Sequence, residues 1–207
     1  MDVGQRVSPH TDDTQTLLAA YAAGALSPHL HALVNAHLAL SETNRAAVLA
    51  LERTAGADIE AMPAPKPLRA PRDHMLAAIY AGGYYGRGQP LQRDPELPEA
   101  LYRLTGAGLD ALDWRPEWPG FQTCRLSFDG LCDARFLKGA PCAIVPEHGH
   151  EGLEAILVLR GSYVDGDRRY AKGDLALSRS VEPHSPVAEK DGCLCFVVHE
   201  RPSKRCG

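Results

Sequence analysis

The chain has 207 residues, of which 44% are hydrophobic and 23% charged, with a formal net charge of −4. That length fits one large domain or two small ones, and the composition excludes wholesale disorder, a collagen-like repeat and a disulfide scaffold. The acidic balance argues against a dedicated nucleic-acid binder, which carries a basic excess.

The opening segment, MDVGQRVSPHTDDTQT, has neither the basic start nor the apolar core of a signal peptide. No apolar run reaches the about 18 residues needed to span a bilayer. The expected location is the cytoplasm, where thiols stay reduced. The cysteines (Cys124, Cys132, Cys142, Cys193, Cys195, Cys206) contain no CxxC pair, which excludes a zinc ribbon. They read as small buried hydrophobes, with Cys206 a loose C-terminal thiol and Cys193/Cys195 a close pair open to redox chemistry.

Residues 12–53 read as helical. Leu17, Leu18, Tyr21 and Ala22 recur at helical spacing, and Gly24 is a terminator. Ser27-Pro28 gives an N-cap followed by proline at the first helical position. Leu30, Leu33, Val34, His37, Leu38, Val48 and Leu49 then form one apolar stripe. Residues 54–71 carry Pro63, Pro65, Pro67 and Pro71 and read as a semi-rigid connector. Asp73 is placed to cap a short helix through Leu76, Ile79 and Tyr80, stopped by Gly82-Gly83. A second connector spans 86–95, and Leu97–Leu104 forms one more short helix. Beyond about residue 112 short apolar runs (CRLSF, AILVLRGSYV, DLALS, CLCFVV) alternate with Gly, Asp and Pro turns, the pattern of a sandwich, jelly roll or barrel. The expected fold class is therefore α+β, with a helical unit at residues 1–85, a linker at 86–98 and a β unit at 99–207.

The strongest chemistry lies in PEHGHEGLEAILVLRG, residues 146–161. His148 and His150 are two apart, so on a strand both imidazoles project from one face. Glu154 keeps the same parity if the strand stays regular through Gly149 and Gly152, and His184 is a fourth candidate from a later strand. A lone histidine is ordinarily a surface or hydrogen-bonded residue. Here that reading would have to explain His-x-His, Glu154, Gly161, Gly173 and His184 together. Imidazoles plus one carboxylate suit zinc, iron, nickel or manganese. By parity, Glu147 and Glu151 point away from the metal.

These residues resemble the two cupin motifs. The first is intact from His148 to Gly161. The second keeps Gly173 and His184 but has Arg179, Val181 and Ala188 where cupins often have proline, glycine and asparagine. The wording around the motif, HGHEGLEAILVLRGSYVDGDRRYAKGDLALSRSVEPHSPVAEKDGCLCF, is similar to the C-terminal cupin of ChrR-type anti-sigma factors. The segment LLAAYAAGALSPHLHALVNAHLALSETNR resembles the same family's sigma-binding helices. The resemblance implies a helical domain that grips an extracytoplasmic-function sigma factor, and a cupin (double-stranded β-helix, jelly-roll barrel) that relays an oxidative signal. One metal, zinc first, would sit on His148, His150, Glu154 and His184. The expected partner is that sigma factor, with a homodimer as a further assembly and neither nucleic acid nor membrane contacted directly.

One departure stands out. The family's anti-sigma domain holds zinc through an upstream histidine and a His-x3-Cys-x2-Cys run. Here His37 occupies the histidine position, Ser41 and Asn44 replace both cysteines, and Asp12 or His10 stands near the upstream histidine. Positions 37, 41 and 44 share a helical face, but hydroxyl and amide are poor zinc ligands. No zinc is expected in the helical domain, and His37 should instead hydrogen-bond Ser41 or Asn44. The Leu30/Leu33/Val34/Leu38 face can be the unit's own core or a groove for a sigma-factor helix.

The leading function is thus a regulator. The alternative is a metal-dependent, dioxygenase-like cupin enzyme that has lost anti-sigma function. A third reading is a ligand-binding cupin that acts through dimerisation. Nothing supports nucleophilic catalysis or nucleotide binding, because GxSxG, the P-loop and GxGxxG are all missing. Arg168-Arg169 and the Arg201, Lys204, Arg205 tail read as solvated surface.

Overall fold

A computed structural model describes residues 9–62, 71–81, 94–128, 132–179 and 181–201. Helices come first and antiparallel strands follow, as the apolar periodicity predicted. Helix α1 (Pro9–Ala22) ends as expected at Gly24, whose φ of +66° suits a residue without Cβ. Helix α2 (Pro28–Leu40) starts at Ser27, whose hydroxyl accepts from the Leu30 N–H.

The predicted single stripe from Leu30 to Leu49 is broken. Ser41 is extended (φ −115°, ψ 105°), closing α2 and capping α3 (Glu42–Glu60) by accepting from the Asn44 N–H. After this break Val48 is buried but Leu49 is exposed. Helix α3 also runs through Thr54–Glu60, where the connector was expected, because the prolines begin only at Pro63. Pro63, Pro65, Pro67, Gly82-Gly83 and most of the second connector lie outside the described residues. Helix α4 (Arg72–Ala81) is capped by Pro71, whose carbonyl accepts from His74 and Met75, while Asp73 sits inside its first turn. Helix α5 (Glu99–Thr105) lies close to the expected span and ends at Gly106 (φ +68°).

Among the described residues seven strands follow: β1 (Arg115–Pro116), β2 (Phe121–Phe128), β3 (Cys132–Gly139), β4 (Leu153–Asp165), β5 (Arg168–Ala171), β6 (Leu175–Ser178) and β7 (Val187–Glu200). They form one antiparallel sheet in the order β1-β2-β3-β7-β4-β5, with β6 also on β4. The long strands β4 and β7 explain why their sequences are almost continuously apolar: both faces are covered. Ala155, Leu157, Leu194, Phe196 and Val198 face a core that also contains Leu17, Leu30, Leu33, Val34 and Leu38 from the helices. Val158, Tyr163, Cys193, Cys195 and Val197 face a second cluster with Phe121 and Val145. The apolar face of α2 is therefore core, shared with the sheet. The cysteine expectation holds for Cys124, Cys193 and Cys195, which are buried, but fails at Cys142, an exposed turn residue with φ +58°. Cys206 lies outside the described residues. Among the described residues no helix is long and apolar enough to cross a membrane.

Candidate metal centre

The site is assembled from two loops and strand β4. The regular strand expected from His148 to Glu154 is not found. His148 makes only an isolated bridge to His184, with backbone bonds of 3.0 and 2.8 Å, and β4 begins at Leu153. Gly152 interrupts the strand at φ +105°, where a Cβ would lie 2.0 Å from the Glu200 carbonyl oxygen. The parity argument therefore does not account for the convergence. Backbone pairing between the two motif loops does.

One ring nitrogen from each of His148, His150 and His184 lies within 4.8 Å of the others. Nε2 of His150 is 2.8 Å from Nε2 of His184 and 3.0 Å from the Glu154 carboxylate. Two of the other ring nitrogens are committed: His148 Nδ1 donates to the Pro146 carbonyl, and His184 Nδ1 donates to Asp165 Oδ2, each at 2.8 Å. Such outer hydrogen bonds fix the tautomer and leave Nε2 free to ligate. His148, Glu154 and His184 also line a cavity with Trp118, Tyr163 and Cys195. The three histidines thus form a triad that could bind a metal ion, with Glu154 beside it.

Burial alone would raise the Glu154 carboxyl. The hydrogen bond from His150 and the fields of the three imidazoles outweigh that and hold it below its ordinary value. Burial lowers His148, only partly offset by its bond to Pro146, and the neighbouring imidazoles push it further down. A divalent cation requires deprotonated donors, neutral imidazole and ionised carboxylate, and the shifts at His148 and Glu154 both run that way. Glu147 and Glu151 are exposed.

Sequence reasoning missed Asp165 and His199. Asp165 sits before Gly166 at the β4–β5 turn, where an aspartate is ordinary turn chemistry, so no local signal marks it. His199 pairs with Glu154 across β4 and β7, and its ring lies 5.3 Å from that of His150. Cys193 and Cys195 face the cavity. The Cys195 thiol is pushed up by its hydrogen bond to Cys193 and by burial.

In the helical unit, His37 is 3% exposed. Its Nε2 accepts from Asn44 Nδ2 at 2.8 Å, as expected for one of the two replaced positions, and its Nδ1 donates to the Gly173 carbonyl at 2.9 Å.

Comparison with known proteins agrees with this architecture. The model of the ChrR cupin-like domain family matches residues 105–202. The anti-sigma-E factor ChrR of Cereibacter sphaeroides is 34% identical over 93% of this chain and 90% of its own length. The crystal structure of Rhodobacter sphaeroides SigE in complex with the anti-sigma ChrR matches with a TM-score of 0.74 at 34% identity, covering 90% of this chain and 96% of that one. KdgF from Halomonas sp. matches with a TM-score of 0.39 at 25% identity, over 45% of this chain and 93% of that one. Because the likeness to the anti-sigma-E factor ChrR runs through the helices and the sheet alike, the chain belongs to the ChrR family of anti-sigma factors.

Proposed function

We propose that this protein sequesters an extracytoplasmic-function sigma factor in the cytoplasm through residues 1–85, joined by a linker at 86–98 to a sensing cupin at 99–207. The full-length likeness to an anti-sigma factor carries the reading. Helix α3 supports it, because of its 19 residues only Val48 is buried. Leu51, Ala55 and Ile59 continue Val48's stripe at helical spacing into solvent, and Met62 follows just past the helix end. A solvent-facing apolar stripe on a helix is a surface for a partner.

In the cupin, His148, His150, Glu154 and His184 would hold one divalent metal. Three imidazoles and a carboxylate suit zinc, with iron, nickel and manganese compatible with the same donors. When bound, zinc supplies a cross-link between the two motif loops and β4. Asp165 and the Pro146 carbonyl keep two of the rings turned toward it. The helical unit is proposed to hold no zinc, since both ring nitrogens of His37 are taken by Asn44 and Gly173. The enzyme reading is not favoured: the likeness includes the helices, and the acids flanking the motif, Glu147 and Glu151, are exposed.

Fluorescence anisotropy with a labelled sigma factor from the same genome tests the proposal. Binding by the reduced full chain supports it, and absence of binding with both proteins folded sinks it.

A further inference from the structure

We propose that His37 is the point at which the helical unit reads the state of the cupin metal site. The inference rests on the metal reading above and extends it to a specific contact.

One imidazole joins three elements. A single neutral tautomer satisfies both bonds: Nδ1–H donates to Gly173, 136 residues away, and Nε2 accepts from Asn44 on α3. Gly173 lies in the turn between β5 and β6, and this turn is clamped to the strand that carries Glu154. The Gly173 N–H donates to the Val158 carbonyl at 2.8 Å, and the Val158 N–H donates to the Asp174 carbonyl at 3.1 Å. Beyond the turn, β6 pairs with β4 from Leu157 back to Glu154, which lies opposite Ser178. The turn also rests on the end of α2, where a Cβ on Gly173 would lie 3.5 Å from that of Leu40.

The chain of contacts runs from Glu154 along β4 to Val158, across to Gly173, through His37, and on to Asn44. Its far end is α3, the helix that carries the exposed stripe. Close-packed interiors transmit displacement instead of absorbing it. A tie across two hydrogen bonds in a buried place therefore links ion capture at Glu154 to the order of α2 and α3. Coupling along such a path is read by an experiment that observes both ends.

Hydrogen exchange on the full chain, stripped with a chelator and then reloaded with zinc, does so without a sigma factor. In the wild type, zinc is expected to slow exchange in β4 and β6, and to slow it in α2 and α3 by about 5-fold or more, the lower end of ordinary coupling. In His37→Phe the barrel response should remain and the α2–α3 response should vanish. His37→Gln, whose amide can donate to Gly173 and accept from Asn44, should restore part of it. If His37→Phe does not fold, Asn44→Ala cuts only the outer arm and should remove the zinc response of α3 while leaving that of α2. Barrel protection without α2–α3 protection in the wild type overturns the proposal, as does an undiminished helical response in His37→Phe. Zinc protection nowhere removes the metal reading, and this inference with it.

Discussion

Nε2 of His150 lies 2.8 Å from Nε2 of His184, although 34 residues separate the two in sequence. Two facing imidazole nitrogens cannot both present lone pairs at this distance without something positive between them. A proton carried by one of the two rings meets that need, and a metal ion ligated by both lone pairs would replace that proton. The neighbouring Glu154 carboxylate, 4% exposed and held ionised, adds the negative charge that favours the cation.

His148→Ala and Glu154→Gln should each remove the metal. The expected loss of zinc affinity exceeds the roughly 10–100-fold that follows from removing an outer hydrogen-bonding partner. Elemental analysis of the purified chain, with a competitive chelator titration, reads it directly. Unchanged metal content in either variant would refute the site. Cys193 and Cys195 are not ligands in this reading, and their double substitution by serine should leave metal content unchanged.

Asp165→Ala should weaken zinc by about 10–100-fold while leaving one ion per chain at saturating zinc. The reason is tautomeric. Without the carboxylate, the proton on His184 is no longer held at Nδ1, and Nε2 is less often free to ligate. The same titration measures the shift, and an affinity equal to wild type would show that Asp165 has no such role.

Ile59→Asp should weaken capture of the sigma factor without destabilising the chain. Ile59 is 68% exposed, so its change costs the fold little. A charge placed in a buried partner interface should weaken binding by about 30-fold or more, the scale of an interface hot spot. Anisotropy and a thermal melt, run on the same sample, separate the two effects.

Leu33→Ala should behave in the opposite way. Leu33 is fully buried in the core shared by helices and sheet. Its truncation is expected to cost about 2–5 kcal/mol in a urea titration, with sigma affinity preserved under conditions where the variant is folded.

Stability should fall in mild acid, and His37 should contribute to the slope. Burial lowers its proton affinity, an effect only partly offset by the Gly173 bond. The unfolded chain therefore binds more protons, and stability rises with pH. The contribution is complete above the ordinary histidine value of 6.5 and is lost as pH falls below it. Urea midpoints measured between about pH 7.5 and 5.5 should drop more steeply for wild type than for His37→Phe. Coincident slopes would assign the pH dependence to another group.

The residues alone determined the order of helices before strands, the Ser27 cap and the Gly24 stop, and they marked the four side chains proposed here as metal donors, because each is written in local spacing or in side-chain chemistry. Other features are written nowhere in local spacing. The break at Ser41 divides a continuous apolar stripe, and the serine that makes it offers the same side chain to a helix interior as to a cap. The loop at 146–152 carries the alternation of a strand, yet Gly152 pressed against the Glu200 carbonyl prevents one. Asp165 and His199 join the site only because β4 turns at Gly166 and pairs with β7. The bond from His37 to Gly173 spans 136 residues. Spacing specifies which groups a chain offers within a few turns of helix or strand. Which distant group meets them depends on how the sheet curls and where the helices pack, and that is decided by the shared core as a whole.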